Sequence, residues 1–242
     1  MPHGMRDYGI YTPKTTLAAL EDMAELAARL GSIVTFDRKG DVVWLDDFES
    51  GLSKWLTHGT GTDKAIEISS ESSRDGGFSA KLTPGNAEDN YAYIHHRAAM
   101  PVKSKIGLEF SFTMELYVKI LEARLELYDG THGFYTRIRF DDEEHKLYYF
   151  NSEGNPVEFA SEVTLFRQDK VFHTLKFVVD FEEEKYDRCI LNNTQYDLST
   201  YAIQKTEVAL APLLAEYIYV YNGADGLHPI LIDNVILTQN EP

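Results

Sequence analysis

Four stretches of this 242-residue chain place tyrosine, arginine, histidine and glutamate at alternate positions. In "NYAYIHHR", Tyr91, Tyr93, His95 and Arg97 alternate with Ala92, Ile94 and His96. "EARLELYD" does the same with Glu122, Arg124, Glu126 and Tyr128, and "FYTRIRFD" with Tyr135, Arg137, Arg139 and Asp141. "EYIYVYNG" supplies Tyr217, Tyr219 and Tyr221. Successive side chains of a strand point to opposite faces, so each set occupies one face of its strand. Aromatic rings stack on the C–H surfaces of sugars, while Arg and Glu bind hydroxyls or carboxylates. These residue types offer a glycan site. They equally suit a water-facing or subunit-covered sheet surface stabilised by cross-strand Arg–Glu and Tyr–Arg pairs. Alternation alone does not make the four strands neighbours, so both readings stand at this level.

A second group is acidic. In "VVWLDDFESGLSKW", residues 42–55, the chain's two tryptophans, Trp44 and Trp55, bracket Asp46, Asp47 and Glu49. These carboxylates are expected to be turn, cap or metal groups, and the tryptophans to pack one end of the fold. His95 and His96 are adjacent, so on a strand they point apart and cannot share a metal. There is no G-x-S-x-G elbow, phosphate loop or dinucleotide fingerprint.

Period-two patterning also predicts the elements that carry these groups. "LEFSFTMEL" puts Leu108, Phe110, Phe112 and Met114 on one face, and "TLKFVVDF" does so with Leu175, Phe177, Val179 and Phe181. Turn residues punctuate the strands at Asp129–Gly130, Glu153–Gly154–Asn155, Asn192–Asn193 and Asn222–Gly223. Hydrophobic residues make up 43% and aromatics 12%, enough for a sizeable core rich in residues that favour a pleated surface. The predicted class is mainly β, an antiparallel sandwich over residues 41–242. Ahead of it, residues 1–40 form an arm, one short amphipathic α-helix with a Leu17, Leu20, Ala24, Ala27, Leu30 stripe, and a hairpin strand.

The net charge of -16 and pI near 4.8 argue against nucleic acid and anionic membranes, both of which need clustered cations. The single cysteine, Cys189, allows no internal disulfide. No signal-like start and no membrane-spanning apolar run is visible, so synthesis in a cytoplasm is expected, with a place in a virion or outside the cell after release.

"DDFESGLSKW" resembles the first strand of jelly-roll carbohydrate-binding modules, where F-E-x-G-x-x-x-W recurs. "SSRDGGFSAKLT" is similar to their Ser-rich turn and following strand, and "PILIDNVILT" to their closing strand. "FHTLKFVVDFEEEKYDRCILNNTQYDLS" resembles paired strands of concanavalin A-like and laminin-G-like domains. The resemblance covers about residues 44–238 and implies a concanavalin A-like jelly roll. In such modules these landmarks often meet at a structural calcium ion. That implies Glu49, Asp75, the Lys81 carbonyl and Asp233 as ligands, with the match at Asp75 loose against Glu71. The alternative is that Glu49 and Asp233 are strand-end groups satisfied by backbone amides. A jelly roll also has a concave sheet, and the four polar faces would line it if they share it.

Hydrolases of this class use two carboxylates about one bond. "VDFEEEK" aligns Asp180, Glu182 and Glu184, but at a charged hairpin end where acids are usually solvated. Glu122 and Glu126 flank Arg124, which suits a salt-bridge ladder. Jelly-roll polysaccharide lyases need a cation against a uronate and a Tyr or His to move protons. Tyr91, His95, Arg97, Arg137 and Tyr219 supply the types, without a lyase motif. The favoured expectation is a non-catalytic, lectin-like assembly subunit, such as a virion decoration, tail or appendage protein with glycan adhesion. It would form a homo-oligomer or larger assembly through its N-terminal segment. A free-standing carbohydrate-binding module and a glycan-cleaving enzyme are the alternatives.

Overall fold

The computed structural model describes residues 40–115 and 117–242. The expected N-terminal helix and the first strand of its hairpin lie outside these residues. Among the described residues there is no helix; sixteen strands form two antiparallel sheets packed face to face. Sheet I contains β1 (Asp41–Asp46), β3 (Ala65–Ser69), β4 (Ser79–Thr83), β6 (Lys105–Met114), β11 (Gln168–Asp180), β12 (Lys185–Leu191), β13 (Thr194–Asp197) and β16 (Ile230–Gln239). Its order is β13-β12-β11-β6-β16-β4-β3, with β1 paired to the far half of β16. Sheet II contains β2 (Leu56–Gly59), β5 (Tyr91–Ala99), β7 (Val118–Tyr128), β8 (His132–Asp141), β9 (Lys146–Phe150), β10 (Pro156–Ala160), β14 (Gln204–Glu207) and β15 (Leu213–Asn222). Its order is β10-β9-β8-β7-β15-β5-β2, with β14 along the other half of β8.

The alternating residues do what their period requires. Leu108, Phe110, Phe112 and Met114 of β6 are fully buried between the sheets, as are Phe177 and Val179 of β11. Ile94 of β5, Leu125 and Leu127 of β7, Phe134 and Phe140 of β8, and Ile218 and Val220 of β15 meet them from sheet II. The opposite face of β6 is also closed. Glu109, Ser111 and Thr113 are buried, and neighbouring Lys176 bonds Glu241 at 2.8 Å. Glu241 in turn takes Arg188 at 2.6 Å and the Thr238 hydroxyl at 2.7 Å, so the centre of this outer face is a bonded polar network.

Two features brace the sandwich. Tyr186 of β12 crosses it: its hydroxyl donates to the Phe150 carbonyl at 2.9 Å and accepts from the Arg137 amide at 3.0 Å. At one end, Trp55 is buried and its indole nitrogen donates to Asp46 Oδ2 at 2.7 Å, while Lys54 bonds Oδ1 at 2.8 Å. Trp44 meets Trp55 edge-on at 5.1 Å and stacks on His96 at 4.1 Å. His96 Nδ1 lies 2.5 Å from Glu216, whose carboxyl pKa is raised above the usual range by burial. The tryptophans therefore pack the sandwich end, as expected, and Asp46, expected as a turn, cap or metal group, anchors Trp55 and Lys54 there.

Candidate functional site

Strand register brings the four polar faces together. β5, β15, β7 and β8 are consecutive neighbours in sheet II. One rung across them reads His95, Tyr217, Arg124, Arg137. The next reads Tyr93, Tyr219, Glu122, Arg139, and the next Tyr91, Tyr221, Ile120, Asp141. On the other side, Arg97, Ala215, Glu126 and Tyr135 align, with Tyr128 one step beyond Glu126 on β7. Directly opposed residues of antiparallel strands share a face, so every residue of the expected glycan set lies on the outer face of sheet II.

The face has an aromatic side and a guanidinium side. Tyr93 and Tyr219 are 4.2 Å apart, Tyr91 and Tyr221 5.6 Å, and His95 and Tyr217 4.8 Å between ring centroids. The Arg124 guanidinium lies 4.0 Å from the centre of the Tyr219 ring, joining the two sides by a cation–π contact. Glu122, wholly buried, accepts from Arg124 Nε at 2.6 Å on one oxygen. Its other oxygen accepts from Arg139 Nε at 2.9 Å and a terminal nitrogen at 2.6 Å. Arg137 and Arg139 both sit 5.0 Å from the Phe150 ring. The expected ladder is therefore centred on Glu122. Glu126 instead accepts the Tyr128 hydroxyl at 2.9 Å, with Tyr135 edge-on to Tyr128 at 5.8 Å.

His95 differs from its neighbours. It is nine-tenths buried, at 9% exposure, yet neither ring nitrogen has a hydrogen-bond partner. Burial, then Arg97 and His96, lowers its pKa below 6.5. Burial and then Glu126 push the Tyr217 phenol up to about 12, with Arg97 opposing. Burial raises Tyr219 and Tyr221 as well. Around pH 7 the face presents neutral phenols and imidazole beside charged guanidinium groups.

The carboxylates that the resemblance implies for calcium accept backbone amides. Glu49 Oε1 accepts from the Gly77 and Phe78 amides at 2.6 and 2.9 Å. Asp233 accepts from the amides of Arg74, Asp75 and Asn234 at 2.7, 3.2 and 2.8 Å. Asp75 takes the Gly76 amide at 2.9 Å, and the Lys81 side chain grips Glu71. Among the described residues no group of three or more His, Cys, Asp or Glu side chains could hold a metal ion. Glu49 and Asp233 tie the 74–78 turn to the turn after β1 and to β16. Asp180 caps its own hairpin through the Glu182 and Glu183 amides, and Glu184 pairs with Lys205, so this acid run is a turn.

Alternation missed the members that flank the face. His58 of β2 stands opposite Tyr93, and Tyr148 of β9 opposite Arg139. Phe150, at the end of β9, underlies Arg137 and Arg139. The alternation in "KLYYF" was the available signal for Tyr148.

No protein-family model matches the chain, and no curated protein matches it by sequence. Solved structures match its fold. An endo-beta-1,4-glucuronan lyase from the fungus Trichoderma reesei superposes with a TM-score of 0.59 at 12% identity, covering 82% of this chain and 96% of the lyase. The alginate lyase vAL-1 from a Chlorella virus gives 0.54 at 10% identity, covering 82% of this chain and 100% of the lyase. A sialidase gives 0.52 at 11% identity over 83% of this chain, which spans 19% of the sialidase. The chain thus has the fold of a concanavalin A-like jelly-roll β-sandwich, the fold it shares with these two lyases.

Proposed function

We propose that the protein binds an extended acidic glycan across the outer face of sheet II. The observation that carries this reading is the rung pattern, which sets tyrosines on β5 and β15 beside Arg124 of β7, with Arg137 and Arg139 one strand further on. Tyrosine rings offer flat surfaces for sugar C–H faces, and guanidinium groups read carboxylates by paired hydrogen bonds. Four arginines, Arg97, Arg124, Arg137 and Arg139, face three acids, Glu122, Glu126 and Asp141, there, although the whole chain carries a net charge of -16. A cationic strip on so acidic a protein favours a ligand that is itself anionic but local and extended. The neighbours named for glucuronan and alginate agree with that choice of ligand, at identities that speak for the fold alone.

The assembly role expected from residues 1–40 belongs to the same proposal. Single glycan faces bind weakly, and presenting several copies on an oligomer, virion decoration, tail or appendage raises avidity without new contacts. Two measurements test the reading. Affinity electrophoresis in gels containing polyuronates or neutral glucans is expected to show retardation by polyuronates only. Light scattering of the full chain and of a 41–242 truncation is expected to show an oligomer that the truncation loses.

A further inference from the structure

We infer that an apolar groove at one edge of the sandwich seats the chain's own Leu17–Leu30 stripe, docked in cis. The inference stands apart from the glycan reading, and oligomeric state is a separate readout.

The groove opens where the two sheets part. Val43 and Trp44 of β1 and Leu237 of β16 line it from sheet I, and Ala98 and Ala99 of β5 and Leu214 of β15 from sheet II. Its volume is about 340 Å³, and Gln239 is its polar member. Leu214 and Leu237 are fully buried core residues, whereas Val43 is 39% exposed. The segments that reach the groove are apolar too. Val102, 63% exposed, follows "AAMP" of residues 98–101, and Leu210, 42% exposed, lies in "VALAPLL" of residues 208–214. Leu213 pairs with Ala99, so the two runs meet there.

An edge strand that displays apolar side chains is a template for association unless something covers it. β1 is such a strand. Among the described residues it pairs only with β16, and its register skips Val43, which bulges from the ladder between Val42 and Trp44.

Chain position selects the occupant. Residues 17–30 lie outside the described residues, which begin at Gly40, three positions before Val43. Nine residues, 31–39, separate Leu30 from Gly40. Such a stretch spans at most about 30 Å. The stripe can therefore reach a groove lined by the strand that follows it. A tether this short gives an effective concentration on the order of millimolar, which favours the chain's own stripe over that of a second copy. The chemistry matches as well. Leu17, Leu20, Ala24, Ala27 and Leu30 share one face at helical spacing, while Asp22 and Arg29 fall on the opposite one.

The test uses acrylamide quenching of the full chain. Trp55 is buried, so a change in quenching reads Trp44, the tryptophan in the groove. Wild-type quenching is expected to stay constant over a roughly 100-fold dilution, because docking in cis does not depend on concentration. Leu20→Asp and Ala24→Asp are expected to raise quenching about 2-fold and to lower the melting temperature by about 3–6 °C. Asp22→Asn and Arg29→Gln are expected to change neither. Ala99→Asp, on the groove wall, should reproduce the loss, and adding Leu20→Asp to it should cost little more, because both remove one contact. Circular dichroism checks that each variant keeps its sheets, and Leu20→Ala replaces Leu20→Asp if the latter does not. Quenching unmoved by the stripe variants overturns docking, as do fully additive losses in the double variant. Wild-type quenching that rises on dilution overturns docking in cis and gives the groove to a second copy.

Discussion

Arg139 grips Glu122 across one rung of β7 and β8, holding a single carboxylate oxygen through two nitrogens at 2.9 and 2.6 Å. With Arg124 on the other oxygen, this wholly buried acid organises the guanidinium side of the face. Replacing it leaves two partly buried arginines facing each other. Glu122→Gln is expected to destabilise the fold by about 2–3 kcal/mol, at the lower end for a broken buried pair because both arginines reach solvent. Urea unfolding reads this directly, and a change under about 0.5 kcal/mol would show that the clamp contributes little.

Tyr93 packs tilted against Tyr219 on the aromatic side and is itself only partly buried. Tyr93→Ala should therefore weaken polyuronate affinity about tenfold, or roughly 1.4 kcal/mol. Arg97→Ala should weaken polyuronate binding and flatten its salt dependence, because the lost contact is ionic. Titration calorimetry at two salt concentrations checks both. Equal losses for charged and neutral glycans on changing Arg97 would contradict an ionic role.

Asp46 is the single acceptor for both Lys54 and the Trp55 indole. Asp46→Ala leaves the buried indole N–H unpaired and is expected to cost about 2–3 kcal/mol, while Asp46→Asn, which keeps an acceptor, should cost less. Both tryptophans of the chain sit in this cluster, so intrinsic fluorescence reports its loss without labelling.

Asp129 closes the β7–β8 hairpin by accepting the Thr131 amide at 2.9 Å and the His132 amide at 2.8 Å. These backbone bonds, Thr131 first, hold its carboxyl well below the usual carboxylate range. A depressed acid adds stability that is present above its unfolded pKa and is lost as pH falls towards its folded one. The stability gap between wild type and Asp129→Asn should thus narrow as pH falls from about 5 to about 2. Melting curves across that range test it, and a gap that widens would reverse the assignment.

Gly76 adopts φ +67° in the turn held by Glu49 and Asp233, and a Cβ there would run into Glu49 Oε1. Gly76→Ala is expected to cost about 1–2 kcal/mol. The Glu49 and Asp233 oxygens already accept backbone amides, so a chelator should leave the melting temperature unchanged. A drop on adding chelator would instead support the calcium set that the resemblance implied.

The β class, the inward faces of β6 and β11, and the sharing of one strand face by Tyr91, Tyr93, His95 and Arg97 were all legible in the chain. Each depends on period-two geometry, which is a property of neighbouring residues. The surroundings of the implied calcium set were not legible, because the spacing of Glu49, Asp75 and Asp233 does not show which backbone amides their carboxylates accept. Burial of Glu109 and Lys176 on the outer face of sheet I was equally illegible, since it depends on Glu241 and Arg188 arriving from distant strands. Only the tertiary structure decided that β5, β15, β7 and β8 lie side by side, with His95 opposite Tyr217 and Glu122 between two arginines. Strand order and register come from long-range pairing and the packing of one sheet on the other. No local pattern contains the energy of contacts between residues more than a hundred positions apart.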